Sequence, residues 1–141
     1  EGYTEGQDTL LTELIAHVTA VAPAEGCGLL AMDAGGVVRR VYCLANVVDS
    51  PVRFTVDPDG HFAALRDAEA NGWRIGGVFH SHPRSAAVPS RTDVRGALDP
   101  DWLHLIIGLS GATPEVRAWW IRDGRSTEES VTVSEDRVRC R

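Results

Sequence analysis

The residues best suited to chemistry lie in the run His80-Ser81-His82-Pro83, followed by Pro89-Ser90-Arg91-Thr92-Asp93. Histidines at i and i+2 on a strand project from one face, because strand side chains alternate with a period of two. They can therefore share one metal ion. Asp93 follows His82 by a loop long enough to double back and add a carboxylate. Two imidazoles and one carboxylate leave the fourth zinc position open to water, the pattern of a catalytic site. Zinc in such a site lowers the pKa of its water toward about 7 and makes hydroxide available at neutral pH. That chemistry needs a proton shuttle. Glu25, in Glu25-Gly26-Cys27-Gly28-Leu29-Leu30, is the best placed candidate. A carboxylate within reach of the water can take its proton and pass it to a leaving amine. The neighbouring glycines would let a backbone or a substrate come close to it.

Each of these residues also has a purely structural reading. One H-x-H among five histidines is a weak signal by itself. Ser90-Arg91-Thr92-Asp93 fits a capping box that opens a helix. Glu25 fits a solvated loop. Cys27, close to an acid, suggests a thiol nucleophile, but no histidine follows it in a protease context and a buried strand cysteine fits better. His17 and His61 fall in helical segments, as surface or packing residues, and His104 reads as a satisfied core histidine. The HExxH zinc motif is absent, as is the Pro-Cys-x-x-Cys of zinc deaminases.

The elements that must position these residues follow from periodicity and punctuation. Leu10, Leu11, Leu14, Ile15, Val18 and Val21 recur at helical spacing, with Asp8 or Thr9 as N-cap and Pro23 as the stop. An apolar run from Cys27 to Met32, a turn at Asp33-Ala34-Gly35-Gly36 and a run from Val37 to Leu44 read as a hairpin. Arg53 to Val56 reads as a further short strand. Asp57-Pro58 opens a helix containing Phe62, Leu65 and Ala68, which Gly72 closes. Trp73 to Phe79 reads as a strand delivering His80 at its end, Ser81 to Pro89 as a loop, and Ser90 to Leu98 as a short helix. Leu103 to Leu109 is apolar enough for a central strand buried on both faces. Val116 to Ile121 and Ser126 to Val133 are joined by the hairpin signal Asp123-Gly124. With no linker and no repeat, the expectation is one domain over residues 1–141, its core about 8–134. The class is α/β or α+β, with one mixed sheet flanked by helices.

Composition narrows the partners. The chain has 141 residues, with 14 Lys plus Arg against 20 Asp plus Glu and a formal net charge of −6. All the basic residues are arginine, so no side-chain ε-amine is available for acylation or isopeptide linkage. A net acidic chain with scattered arginines argues against nucleic acid as partner. No apolar run approaches the roughly 18–20 residues of a membrane span. Three widely spaced cysteines, Cys27, Cys43 and Cys140, are not a disulfide framework and suit a reduced, cytoplasmic setting. The N-terminus shows neither a basic region nor an apolar signal core, although residue 1 is not Met.

Taken together, Glu25, His80-x-His82-Pro83, six residues, Ser90, two residues and Asp93 resemble the signature of the JAMM (MPN+) metalloprotease family, a Glu well upstream of H-[ST]-H-P-x(6)-S-x(2)-D. The resemblance spans roughly Leu10 to Val133 and includes Asn46 and the region from Arg53 to Pro58. It implies a cytidine-deaminase-like fold, with zinc held by His80, His82 and Asp93. Glu25 would activate the water and protonate the leaving amine. Ser90 would donate its hydroxyl to the tetrahedral oxyanion, a role compatible with capping its helix.

The compact length looks most like the small bacterial branch, whose members act on ubiquitin-like sulfur carrier proteins. The implied substrate is an amide or isopeptide bond after a C-terminal Gly-Gly. Such a tail fits a narrow groove and can lie extended along a strand edge. The segment after Phe54 and the loop Arg84 to Val88 are the expected groove walls. Arg39-Arg40, or Arg84 with Arg91, are where an acidic carrier would meet positive charge. The insertions with which eukaryotic deubiquitinases of this family grip ubiquitin have no room here. Three readings follow: a zinc peptidase releasing an amino acid or short extension from a sulfur carrier, a general isopeptidase on ubiquitin-like conjugates, and an interaction module with structural zinc.

Overall fold

The structure is a computed structural model that describes residues 10–134 and 137–140. Among these, the elements run α1 (Leu10–Val21), β1 (Cys27–Met32), β2 (Val37–Leu44), α2 (Pro58–Ala70), β3 (Arg74–His82), α3 (Arg91–Gly96), β4 (Leu103–Gly108), β5 (Glu115–Arg122), β6 (Arg125–Glu129), β7 (Val131–Ser134) and β8 (Arg137–Cys140). The strands form one mixed sheet in the order β6-β5-β4-β3-β1-β2-β8-β7. It is the expected helix-flanked mixed sheet. The proposed N-caps Asp8 and Thr9 lie outside the described residues.

The sheet separates two cores by face. On one side α1 packs Leu14 and Val18 against Leu30, Phe79, Leu103, Leu105 and Ile107. On the other, α2 sets Ala64 and Ala68 against Leu29, Ala31, Ile75 and Val78. The small residues of α2 face inward, whereas Phe62 and Leu65 are exposed. The helix begins where Asp57 accepts a hydrogen bond from the Gly60 N–H and Pro58 presets the first turn. It ends before Gly72, whose φ of +77° suits a residue without a Cβ. Asp123 (φ 51°) and Gly124 (φ 74°) turn β5 into β6 as expected for a two-residue hairpin.

β3 and β4 are paired in parallel; the other described strand pairs are antiparallel. A parallel pair needs a long crossover. Here the crossover is the stretch 83–102 with α3 inside it, and this connection carries Ser90 and Asp93 back over the end of β3.

Four expectations need correction. Arg53 to Val56 is not a strand: a single bridge, Val56 to Asn46, holds it, because the Asn46 side chain occupies the pairing groups nearby. β3 does not stop at Phe79 but runs through His82, because β4 continues to pair with it as far as Gly108. The stretch Ser126 to Val133 is two strands, broken after Glu129, so that β7 pairs with β8 instead of β5. β8, absent from the sequence reading, pairs Val37 and Val38 of β2.

Candidate metal centre

β1, β3 and the β3–β4 crossover bring Glu25, His80, His82 and Asp93 together. His80 and His82 share the α2 face of β3, as the two-residue period requires, with ring centroids 5.2 Å apart. His82 Nε2 lies 3.0 Å from Asp93 Oδ2, and His80 Nε2 lies 3.7 Å from Asp93 Oδ1. On the other edge of the His80 ring, Nδ1 is 3.4 Å from Glu25 Oε1. All four side chains are buried, Glu25 to 2% exposure.

Three atoms here, Glu25 Oε1 and both nitrogens of His80, have no hydrogen-bond partner. Buried polar groups left unpaired are costly, on the order of 1–3 kcal/mol each. Their convergence suits a cation, which would satisfy several such donors at once. One donor atom each from Glu25, His80 and His82 lies within 4.8 Å of the others, so the cluster can hold a metal ion. Donors bonded to one tetrahedral zinc at roughly 2.0–2.1 Å stand about 3.4 Å apart. The separations of 3.0 and 3.7 Å from Asp93 to the two imidazoles bracket that value.

The supports around these side chains are local. His82 Nδ1 faces the Ala86 carbonyl at 2.9 Å, which leaves Nε2 to point at Asp93. Such a backbone contact fixes the ring of a metal-binding histidine. The Phe54 ring stacks on His80 with centroids 4.5 Å apart. Ser90 caps α3: its Oγ accepts from the Asp93 N–H at 3.0 Å, and its own N–H donates to Asp93 Oδ2 at 2.9 Å. The capping box is therefore real, and it is also the device that aims Asp93 at the histidines. The two readings of Ser90-x-x-Asp93 are one structure.

Glu25 is held through its backbone. Its N–H donates to the Ser50 carbonyl, and its carbonyl accepts from Asn46 Nδ2. The next residue, Gly26, donates its N–H to the buried Oγ of Ser81 at 2.8 Å and accepts from the Ser81 N–H. Ser81, between the two histidines, thus ties the Glu25 segment to β3. The sequence reading missed this role, because nothing in a strand pattern says which side chain leaves the ladder. The glycines beside Glu25 serve internal packing: a Cβ on Gly26 would sit 2.7 Å from the Val18 backbone, and one on Gly28 2.0 Å from the Tyr42 carbonyl.

Electrostatics follow the pairing. Burial opposes the charge on His82, but its hydrogen bonds to Asp93 and Ala86 outweigh this and raise its pKa. Burial likewise penalises ionised Asp93, yet the His82 hydrogen bond and the nearby His80 bring its carboxyl down to about 2. Burial and the neighbouring Glu25 push the Cys27 thiol up to about 12, so it is no thiolate nucleophile at neutral pH. Burial lowers His104 to about 4, with His80 adding to the effect.

A cavity of about 680 Å³ opens beside His80 and Asp93. Arg53, Phe54, Thr55 and Val56 line it, and the loop Arg84 to Val88 does not. That loop instead holds His82 through Ala86 and accepts the indole N–H of Trp119 through the Ala87 carbonyl. His104 lines the cavity too, and it is not a satisfied core histidine: its Nε2 has no partner. His17 and His61 are packing residues, His17 Nε2 meeting the carbonyls of Cys27 and Leu44 and His61 lying against Trp102. Arg39 and Arg40 are already paired, with Asp33 and Asp67, and both lie over Trp73.

The helix-flanked mixed sheet brings two histidines and two carboxylates to one buried point, with the capping Ser90 beside them, the kind of cluster that could hold a metal ion. Residues 7–122 match the family described as prokaryotic homologs of the JAB domain, and the chain belongs to it. It is 32% identical over 128 residues to the CysO-cysteine peptidase of Mycobacterium tuberculosis, covering 89% of this chain and 88% of that protein. It is 36% identical over 119 residues to a probable TtuB-protein conjugate cleaving protease of Thermus thermophilus, covering 82% and 74% respectively. Among solved structures, a protein of Desulfitobacterium hafniense superposes with a TM-score of 0.82 at 37% identity, covering 90% of each chain.

Proposed function

We propose that this chain is a zinc metallopeptidase that hydrolyses the amide bond after the C-terminal Gly-Gly of a ubiquitin-like sulfur carrier protein and releases an amino acid or a short extension. The observation that carries the reading is the buried convergence of Glu25, His80, His82 and Asp93 with unpartnered donor atoms. A relative of similar length named as a CysO-cysteine peptidase supports the substrate class. In this reading His80, His82 and Asp93 hold the zinc. When bound, zinc supplies a Lewis acid that makes water nucleophilic near neutral pH.

The chain's own groups do the rest. Glu25 Oε1, free of any hydrogen bond, takes a proton from the attacking water and delivers it to the departing nitrogen as the C–N bond breaks. Water oxygen ends on the Gly carbonyl carbon, as the new carboxylate. Ser90 Oγ accepts from the Asp93 N–H, so its own proton is free to donate to the developing oxyanion. Burial keeps this chemistry away from bulk solvent. One domain over the whole chain and a reducing, cytoplasmic setting belong to the same reading. Among the described residues no helix is long and apolar enough to cross a membrane.

A second reading, isopeptidase action on protein conjugates, is favoured by the conjugate-cleaving name of the Thermus thermophilus relative. Incubation with Gly-Gly-linked carrier–amino acid and carrier–protein adducts, read by intact mass, tests both. Cleavage of the amino acid adduct supports the first reading. Cleavage of the protein adduct alone replaces it with the second. A zinc-loaded chain that cleaves neither refutes both.

A further inference from the structure

The two histidines of the centre are supported differently. His82 has a backbone partner for its second nitrogen, Nδ1 lying 2.9 Å from the Ala86 carbonyl. A metal-binding histidine usually donates its other ring N–H in this way, which fixes the ring. His80 has no such support among the described residues. Glu25 Oε1 stands 3.4 Å from its Nδ1 but makes no hydrogen bond with it. Its ring is instead covered by another ring: Phe54 stacks on it, with centroids 4.5 Å apart and planes 23° apart.

Phe54 lies outside the strands and helices, so no ladder keeps its ring there. Its two chain neighbours are fastened to one side chain. Asn46 Nδ2 donates to the Arg53 carbonyl at 3.2 Å, and Asn46 Oδ1 accepts from the Thr55 N–H at 2.9 Å. The same amide also reaches the shuttle segment and its own turn. Nδ2 donates to the Glu25 carbonyl at 3.1 Å, and Oδ1 accepts from the Val48 N–H at 3.1 Å. A side-chain amide has two N–H donors and two acceptor lone pairs, and Asn46 uses all four. Backbone bonds from Val47 to Thr55 and from Asp57 to Ala45 hold the segment around Phe54 in place as well, but neither involves Glu25.

Resting on the function proposed above, we propose that Asn46 is a positioning residue of the metal centre. It fixes the Phe54 ring against His80, so that this ligand is oriented by stacking in place of a hydrogen bond. Through the Glu25 carbonyl it holds the proton shuttle in register with the same ligand. All four bonds of the amide go to backbone groups, so Asn46 acts only through Phe54 and Glu25.

The test measures zinc affinity of the full chain by competition with a chelating dye and, separately, turnover of a Gly-Gly-linked carrier–amino acid adduct at saturating zinc. Removing a residue that orients a metal ligand lowers metal affinity by about 10–100-fold. Phe54→Leu, apolar but without a ring, should therefore weaken zinc binding at least about tenfold. Phe54→Tyr, which keeps the ring, should bind zinc as the wild type does. Asn46→Ala should also weaken zinc binding, but should add little in the Phe54→Leu background, because both changes act on His80 through one contact. At saturating zinc Asn46→Ala should still lower kcat, by about 10–100-fold, because Glu25 is displaced by up to about 1 Å. Asn46→Asp, of the same shape but without the donors to Glu25 and Arg53, should behave alike and covers a folding defect in the alanine variant. Unchanged zinc affinity in Phe54→Leu, or an equal loss in Phe54→Tyr, would overturn the role of the ring. Additive losses of zinc affinity in the double variant would overturn the link through Asn46, and a wild-type kcat in Asn46→Ala would overturn its hold on Glu25. A wild type that binds zinc yet cleaves no adduct would overturn the proposed function, while the zinc affinities would still decide the roles of Phe54 and Asn46.

Discussion

Replacing Ser81 by Ala tests how Glu25, the proposed proton shuttle, is held in place. Ser81 is fully buried, and its Oγ accepts the Gly26 N–H at 2.8 Å. Gly26 precedes β1 and meets the β3 backbone through its carbonyl, which accepts from the Ser81 N–H, so the acceptor for its own N–H is the Ser81 hydroxyl. In Ser81→Ala the donor stays buried and unpaired, which costs about 1–3 kcal/mol. For a chain of this size that corresponds to about 4–12 °C in Tm, at roughly 4 °C per kcal/mol. The proposed ligands His80, His82 and Asp93 keep their contacts, so zinc stoichiometry should not change. Glu25 precedes the released N–H by one residue. A loss of even 1 Å in its placement can lower the rate by about 100-fold. The assays are denaturant unfolding, metal content and turnover of a carrier adduct on one preparation. A variant as stable as the wild type would refute the hydrogen-bond accounting at Gly26. Lost zinc at unchanged stability would show that Ser81 supports the ligands rather than Glu25.

Three further outcomes follow from the same geometry. The Cys27 thiol stays neutral in the fold up to about 12, whereas an unfolded thiol ionises near 9.0, so its contribution to stability is complete below 9 and is lost between 9 and 12; unfolding curves from pH 7 to 11 should weaken with alkali, and less so in Cys27→Ala. Metal binding requires neutral His82 and ionised Asp93, and because pairing raises the first and lowers the second, acidification should release zinc through protonation of His82 before Asp93 titrates near 2; zinc retention that does not vary between pH 8 and 5 would contradict this. Gly28→Ala would place a Cβ 2.0 Å from the Tyr42 carbonyl and 2.3 Å from the Phe79 ring, so it should cost several kcal/mol or abolish folding, judged by soluble yield and thermal unfolding.

The parts legible in the sequence are those governed by local chemistry. The H-x-H alternation fixed a shared strand face, Asp57-Pro58 and Gly72 bounded α2, and Ser90-x-x-Asp93 read correctly as a cap. The offsets from His80 to Asp93 also carried the family resemblance. What stayed hidden depends on partners distant in sequence. β3 runs on to His82 because β4 pairs there, and Arg53 to Val56 is held by Asn46 in place of a ladder. Ser81 bonds to Gly26, and His104 lines a cavity, neither visible as a local pattern. The orientation of α2 is similar: Phe62 and Leu65 look like core residues, yet close packing on the sheet favours Ala64 and Ala68.

The central claim is that His80, His82 and Asp93 hold one zinc ion while Glu25 stays free to move a proton. A crystal structure of the zinc-loaded chain, with anomalous diffraction recorded at the zinc edge, tests it most directly. The account predicts one peak bonded to His80, His82 and Asp93 at about 2.0–2.2 Å, with the Glu25 carboxylate beyond bonding distance. A peak bonded to Glu25 in place of Asp93, or no peak at this cluster, would contradict it.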